Sequence, residues 1–429
     1  MTTGLGAQLG YSMLWLILFS CVIKVFLQIE LGRYAITHGK TTLAAFDSLP
    51  GPRLGAAWLC WLWLFMMLTT QAQIAAMEGL VGQAVHMAFP NASHAIARAA
   101  GSASPRLGDF LSARPEYAWA VLTGVAAVAL LVSGGYRRLE RVTTVLIAAV
   151  SLLTVSCVVA LAWTDYPVSA SGIAEGMRLS LPSSGIALAF AAFGITGVGA
   201  SELFAYPYWC LEKGYARAVG PRSPDPEWGQ RARGWLKVMK IDAWLSMVVF
   251  TVATVSFYLM GAAVLHPQGI QPKGQEMLRA LSSMYLPLGA WTTPVFLIGA
   301  WAVLFKTLYV STAANSRLTT DFLTLSGLWR HPTRVGREWW IKAFCIFYPF
   351  LAVFLYLVIP EPGRLVQIGG IAQALMLPLI GGATLYLRYR DSDARLAPRK
   401  LTDALTWLAL ASVSAVAIYS LVDLFPTHS

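Results

Sequence analysis

Residues 181–210 read LPSSGIALAFAAFGITGVGASELFAYPYWC. An apolar run enters Gly194, Gly197 and Gly199, meets Ser201 and Glu202, and resumes toward Pro207. Glycine loosens a helix, and an unwound stretch leaves carbonyl and amide groups without partners. Inside a bilayer, such backbone persists only where protein buries it or where it lines a cavity. A carboxylate at that point is costly and marks a functional-site candidate. Interrupted helices with an ionisable group near the midplane are how secondary transporters bind ions.

The remainder of the chain fits a bilayer. Its 429 residues are 57% hydrophobic and 12% charged, where a soluble domain carries about a quarter charged residues. Ten apolar stretches stand out, at 9–31, 54–88, 116–135, 142–164, 182–211, 240–265, 287–313, 342–359, 365–388 and 402–424. Several exceed the roughly 20 residues that cross hydrocarbon, so tilt or interfacial extension is expected. The expected fold class is an all-α polytopic membrane protein of about ten transmembrane helices. Trp58, Trp61, Trp63, Trp339 and Trp340 read as interfacial or lipid-facing anchors.

The net charge of +11 follows topology. Twenty-three of the 32 basic residues fall in the loops after the odd-numbered stretches, from Arg33 in the first to Lys400 in the ninth. The even-numbered loops hold seven, and Lys24 and Lys306 lie within stretches. The positive-inside rule places the basic loops in the cytoplasm and both termini outside a cytoplasmic membrane. No nucleic-acid partner is needed to explain the excess. Residues 1–8, MTTGLGAQ, carry no signal peptide. The expectation is that one further helix belongs before residue 9.

Other chemistries lack their signatures. There is no GxxxxGK[ST], so ATP is not expected as a partner. The five cysteines (Cys21, Cys60, Cys157, Cys210 and Cys345) sit inside apolar stretches without CxxC spacing and read as small buried hydrophobes. The histidines form no metal-spaced pair, and no nucleophile–base cluster points to an enzyme.

Several residues are candidates for ion chemistry. Glu202 reads as a cation ligand or proton acceptor, or as a cap on the second half-helix, whose dipole favours negative charge. Ser201 and Thr196 offer oxygen, with back-bonding to the helix as the alternative. Gln373, near Gly369 and Pro378, offers an amide oxygen or an interhelical hydrogen bond. Gly194, Gly197 and Gly199 permit the break, or pack helices closely. Glu78 sits late in the second stretch, and Glu30 beside Arg33 forms a local pair or part of an inner gate. Lys24 and Lys306 must each face a cavity, pair with an acid or snorkel, unless the ammonium stands in as a built-in cation.

The stretch Tyr11–Phe46, YSMLWLILFSCVIKVFLQIELGRYAITHGKTTLAAF, resembles the second helix and following loop of Nramp-type divalent metal transporters. The shared pattern is Gly10-Tyr11, Leu14-Trp15, Leu27-Gln28, Arg33 and His38-Gly39-Lys40. The stretch at 240–265 looks like that family's seventh helix, and 365–388, with QALMLPLIGG, resembles its tenth. The resemblance implies a LeuT-like bundle of two inverted five-helix repeats. Residues 1–164 would be the remnant of the first repeat, 182–388 the second, and 402–424 an extra helix. The family's first helix carries a DPGN motif with a metal-binding Asp, so the expected missing helix is that one.

The resemblance also implies alternating-access uptake of a divalent cation, coupled to protons, with the metal as cargo and no tightly bound cofactor. Lipid is the other partner. Where the family's sixth helix has Met-Pro-His, this chain reads GVGASELFAYPYW. Hard oxygen from Glu202, Ser201 and Gln373 would replace soft sulfur, which suits magnesium, manganese or ferrous iron. Glu78, Glu30, Arg33 and Lys306 are the candidates for proton path or gating; the family's third-helix acids align with Ala76 and Gly79. Two other readings stand beside this one. One is a symporter of small organic solutes such as amino acids, and the other a non-transporting sensor or remnant.

Overall fold

A computed structural model describes residues 1–133, 136–180, 185–272, 274, 277–329, 334–397 and 400–424. A short helix α1 (Thr2–Leu9) precedes the long ones: α2 (Leu14–His38), α3 (Trp58–Ala88), α4 (Glu116–Ser133) and α5 (Tyr136–Ala160). Two half-helices follow, α6 (Ile186–Ile195) and α7 (Ala200–Glu212). The chain then continues through α8 (Pro226–Met260), α9 (Thr292–Leu325), α10 (Arg334–Val358), α11 (Pro362–Asp391) and α12 (Lys400–Leu424). Among the described residues ten helical segments are long and apolar enough to cross a membrane, α6 and α7 counting as one.

Local chemistry sets the boundaries. Gly39 ends α2 in the left-handed conformation, φ 64°, which costs glycine nothing. The expected loop before the sixth span is largely helical. Asp225 caps α8 by accepting the Glu227 amide at 3.0 Å, and Pro226 occupies the first position with a preset φ. Trp228 and Ala232 then bury one face of the extension, so the helix begins well before residue 240.

Helix α3 is the hub, packed against α4, α9, α10 and α11, while α2 packs against α7 and α8. Burial grades the bundle. In α2 72% of the apolar window is inside the protein, against 17% for Thr144–Trp163 and 22% for Lys400–Tyr419. The last two are peripheral. Lipid tails are as apolar as leucine, so close backbone approach must hold the inner helices together. Gly194 of α6 and Gly370 of α11 supply it: a Cβ on Gly194 would collide with the Gly370 carbonyl oxygen. Trp63 is an inner residue as well, 1% exposed and 5.8 Å from the ring centres of both Phe204 and Phe322. This corrects the expectation of an interfacial anchor; the aromatic pocket made by α7 and α9 is invisible in the α3 sequence alone. Trp339, in contrast, is exposed. All five cysteines are buried and free.

Basic loops meet at one end of the bundle. Arg222 pairs with Asp393 at 3.2 Å, Arg395 donates to the Ser223 carbonyl at 2.8 Å, and Arg390 reaches the Ser48 carbonyl at 3.1 Å. The Arg395 side chain, bonded to Asp393 at 2.9 Å, holds that carboxyl well below the usual carboxylate range, with Arg222 adding to the effect.

A candidate cation site at the helix break

Helix α6 closes its last turn with the Thr196 amide bonded to the Ala192 carbonyl at 2.8 Å. Residues 196–199 are unwound, and α7 starts at Ala200. Gly197 makes the turn at φ +76°, a conformation that costs other residues strain, and a Cβ there would lie 2.7 Å from Cys21 Cα of α2. Gly199 is extended; the space beside it holds the Glu202 carboxylate and Gln373 Oε1, 2.5 Å from where a Cβ would stand. Gly194 does not unwind anything. It lies inside α6 and packs against α11, which corrects its assignment to the break.

The first turn of α7 carries Glu202, where unpaired amides and the helix dipole favour a negative charge. Helices surround it, yet its side chain is exposed because it faces a cavity of about 310 Å³. That cavity is lined by Ser201, Glu202, Gln373, Gln73, Asn315 and Lys306 among others. Gln373 ties its wall together. Its Oε1 accepts the Ser201 amide at 3.1 Å, and its Nε2 donates to Gln73 Oε1 at 2.8 Å. An amide oxygen has two lone pairs, so one remains for a cation. Lys306 of α9 donates to Thr144 Oγ1 of α5 at 2.8 Å.

Ser201, Glu202, Gln373 and Lys306 therefore share one cavity, drawn from α7, α11 and α9. Glu78, Glu30 and Arg33 lie outside its lining. Glu78 is fully buried in α3 beside Gly124, and among the described residues neither carboxylate oxygen has a hydrogen-bond partner. Glu30 is the centre of an ion network. Arg33 donates to its Oε2 at 2.7 Å, Arg388 of α11 lies 2.8 Å from its Oε1, and Arg388 reaches Asp403 of α12 at 2.9 Å. That network binds three helices together rather than one local pair.

Lys24 takes none of the courses its sequence context offered as the ordinary ones. It is fully buried, and its Nζ donates to the Phe193 carbonyl at 2.6 Å and to the Thr196 carbonyl. Ser20 Oγ donates to the same two carbonyls, each at 3.1 Å. Thr196 contributes its backbone; among the described residues its hydroxyl has no partner, and it does not bond back to the helix. Gln73 and Asn315 went unnoticed as cavity residues, although polar runs inside apolar helices, TTQAQ and AANS, were a visible signal. Arg388 carried no signal, since its partners are remote in sequence.

Among the described residues no three His, Cys, Asp or Glu side chains gather closely enough to hold a metal. A cation in this cavity would meet one carboxylate and several neutral oxygens. Such a donor set suits hard ions.

A family model described as natural resistance-associated macrophage protein-like matches residues 2–423. No curated protein sequence matches the chain. Crystal structures of the Eremococcus coleocola manganese transporter are similar in fold. A glutamate-to-alanine mutant superposes with a TM-score of 0.67 at 15% identity, covering 100% of this chain and 84% of that one. A histidine-to-alanine mutant gives 0.64 at 15% identity, again covering 100% and 84%. A complex with an aromatic bis-isothiourea substituted compound gives 0.66 at 14% identity, with the same coverage. The fold is LeuT-like.

Proposed function

This chain belongs to the natural resistance-associated macrophage protein-like family, and from that premise we propose that it moves divalent metal cations across the membrane, with Glu202 as the principal ligand. One observation carries the assignment to this residue: among the described residues, Glu202 is the single carboxylate lining the cavity at the break. Neutral oxygens of Ser201 and Gln373 complete a hard donor set, which points to magnesium, manganese or ferrous iron. The fold's likeness to a manganese transporter supports the substrate class. Alternating access would come from rocking of the helices around the break. A carboxylate that takes either a proton or the cation is the simplest means of coupling the two.

The test is uptake into proteoliposomes of manganese, ferrous iron, magnesium and cadmium, with a pH dye inside. Saturable uptake that Glu202→Gln abolishes supports the reading, and acidification in step with uptake supports proton coupling. Uptake unchanged in the variant would remove Glu202 from the site.

A specific feature favours a second reading. Lys306 and Glu202 line the same cavity with opposite charge, which complements a zwitterion. The volume falls at the low end of the roughly 300–1,000 Å³ of small-molecule sites. Uptake of radiolabelled amino acids, lost in both Glu202→Gln and Lys306→Met, would establish it in place of metal.

A further inference from the structure

We propose that Lys24 is a tethered monovalent cation: its ammonium fills an ion site at the carbonyl end of α6, so that no free sodium or potassium binds there unless the side chain is removed. The inference concerns the α6 side of the break, and it holds whichever cargo enters the cavity beside Glu202.

The last carbonyls of a helix have no amide partners and carry the negative end of its dipole. In discontinuous membrane helices such carbonyl ends are where small monovalent cations coordinate. Here α6 stops in the middle of the bundle, and the carbonyls of Phe193 and Thr196 converge on one point. Ser20 Oγ reaches both of them from α2. Two carbonyls and a hydroxyl form a neutral oxygen cluster, and among the described residues no carboxylate is hydrogen-bonded to the ammonium. Such a cluster suits a single positive charge. Lys24, one helical turn below Ser20 on the same face of α2, delivers that charge. The Phe193 ring lies 5.1 Å from the ammonium and adds attraction for a cation on its face. The side chain is fully enclosed, away from bulk solvent.

Tethering changes what the site can do. A diffusible ion would bind and leave with its concentration, whereas a lysine on α2 is always present. The half-helix keeps its charge balance through the whole cycle without drawing on an ion gradient. α2 and α6 are joined at this point by the same bonds, together with the contact of Gly197 on Cys21.

The test uses the full chain in detergent and Lys24→Ala, which removes the ammonium and leaves space. Equilibrium binding of ²²Na⁺ and thermal unfolding are measured with sodium exchanged for choline at constant ionic strength. The expected result is saturable sodium binding in Lys24→Ala alone. Above its Kd, its unfolding midpoint should rise about 2 °C per tenfold increase in sodium, while the parent stays flat. If Lys24→Ala folds only in sodium or potassium, the proposal is also supported. If it folds in every salt and binds no monovalent ion, the proposal fails. Saturable sodium binding by the parent that persists in Lys24→Ala overturns it too. Should Lys24→Ala fold in no salt, Lys24→Ser replaces it, because its hydroxyl softens the void while the short side chain leaves the two carbonyls open to an ion. Sodium-dependent stability in Lys24→Ser then supports the proposal, and stability indifferent to every monovalent ion overturns it.

Discussion

Gln373 Oε1 receives the Ser201 amide at 3.1 Å, so a side chain of α11 stands in for the helical carbonyl that the break has taken away. The bond fixes the first turn of α7, and with it the direction of Glu202. Gln373→Leu keeps the bulk and removes the acceptor. It leaves the part-buried Ser201 amide without that acceptor, a loss of about 0.5–1.5 kcal/mol. Thermal unfolding should show that loss, and metal uptake should fall with it. Uptake unchanged in Gln373→Leu would mean that α7 is positioned without this bond.

The ion network at the end of the bundle separates structure from exposure. Glu30 sits between Arg33 and Arg388, and all three are buried. Removing one partner of a buried pair costs roughly 3–5 kcal/mol because the remaining charge is stranded. Glu30→Gln, which takes the carboxylate from Arg33 and leaves Arg388 with Asp403 alone, should lower the unfolding midpoint strongly. Asp403, whose side chain is 35% exposed, should cost far less as Asp403→Asn, since solvent already screens that carboxylate and Arg388 keeps Glu30.

Glu78 predicts the opposite sign. Its carboxylate is fully buried and has no hydrogen-bond partner among the described residues. Replacing an unpaired buried polar group by an apolar one of similar shape is neutral or stabilising. Glu78→Met should therefore keep or raise the unfolding midpoint. A marked loss of stability would show that a partner such as water holds the carboxylate in place.

Two glycines with left-handed backbone give an internal control. Gly197 has φ +76° and no space for a Cβ, while Gly39 has φ +64° and nothing within 4 Å. Gly39→Ala carries only conformational strain, about 1–2 kcal/mol. Gly197→Ala adds a collision with α2 and should be the more destabilising of the two. Equal effects would show that α2 can yield at Cys21.

Asp393 lies outside the spans and predicts a pH dependence. Its folded-state pKa is depressed by Arg395 first and then Arg222. The stabilisation is therefore complete above the unfolded value, about 3.9, and is lost as pH falls from there toward the lower folded value. The gap in unfolding midpoint between the parent and Asp393→Asn should be full at pH 6 and close as the pH is taken below about 4. A gap that stays constant through that range would contradict the linkage.

Hydropathy made the helices legible, because a bilayer demands long uninterrupted apolar runs and the chain supplies them. The break was legible for the same reason: Gly197, Gly199 and Glu202 are misfits in such a run. The geometry around it was not. Lys24 finds its partners 169 and 172 residues away, and those partners are backbone carbonyls, which have no letter in a sequence. Gly194 looked like the other glycines of its segment, and only the approach of Gly370 distinguishes its work from theirs. Trp63 was misplaced because tryptophan favours both interfaces and aromatic pockets, and its own helix does not reveal which neighbours await it. The start of α8 was missed because an amphipathic extension scores as polar in a search for membrane spans.

The five buried thiols give the protein a chemical silence that is useful at the bench. With Cys21, Cys60, Cys157, Cys210 and Cys345 all enclosed, a membrane-impermeant maleimide applied to intact cells should leave the parent unlabelled. A single cysteine placed at Leu54 or Leu179, which are 75% and 79% exposed, then becomes the only reactive handle. Labelling at 179 and not at 54 would put the basic loops on the inner side, and the reverse would turn the protein over.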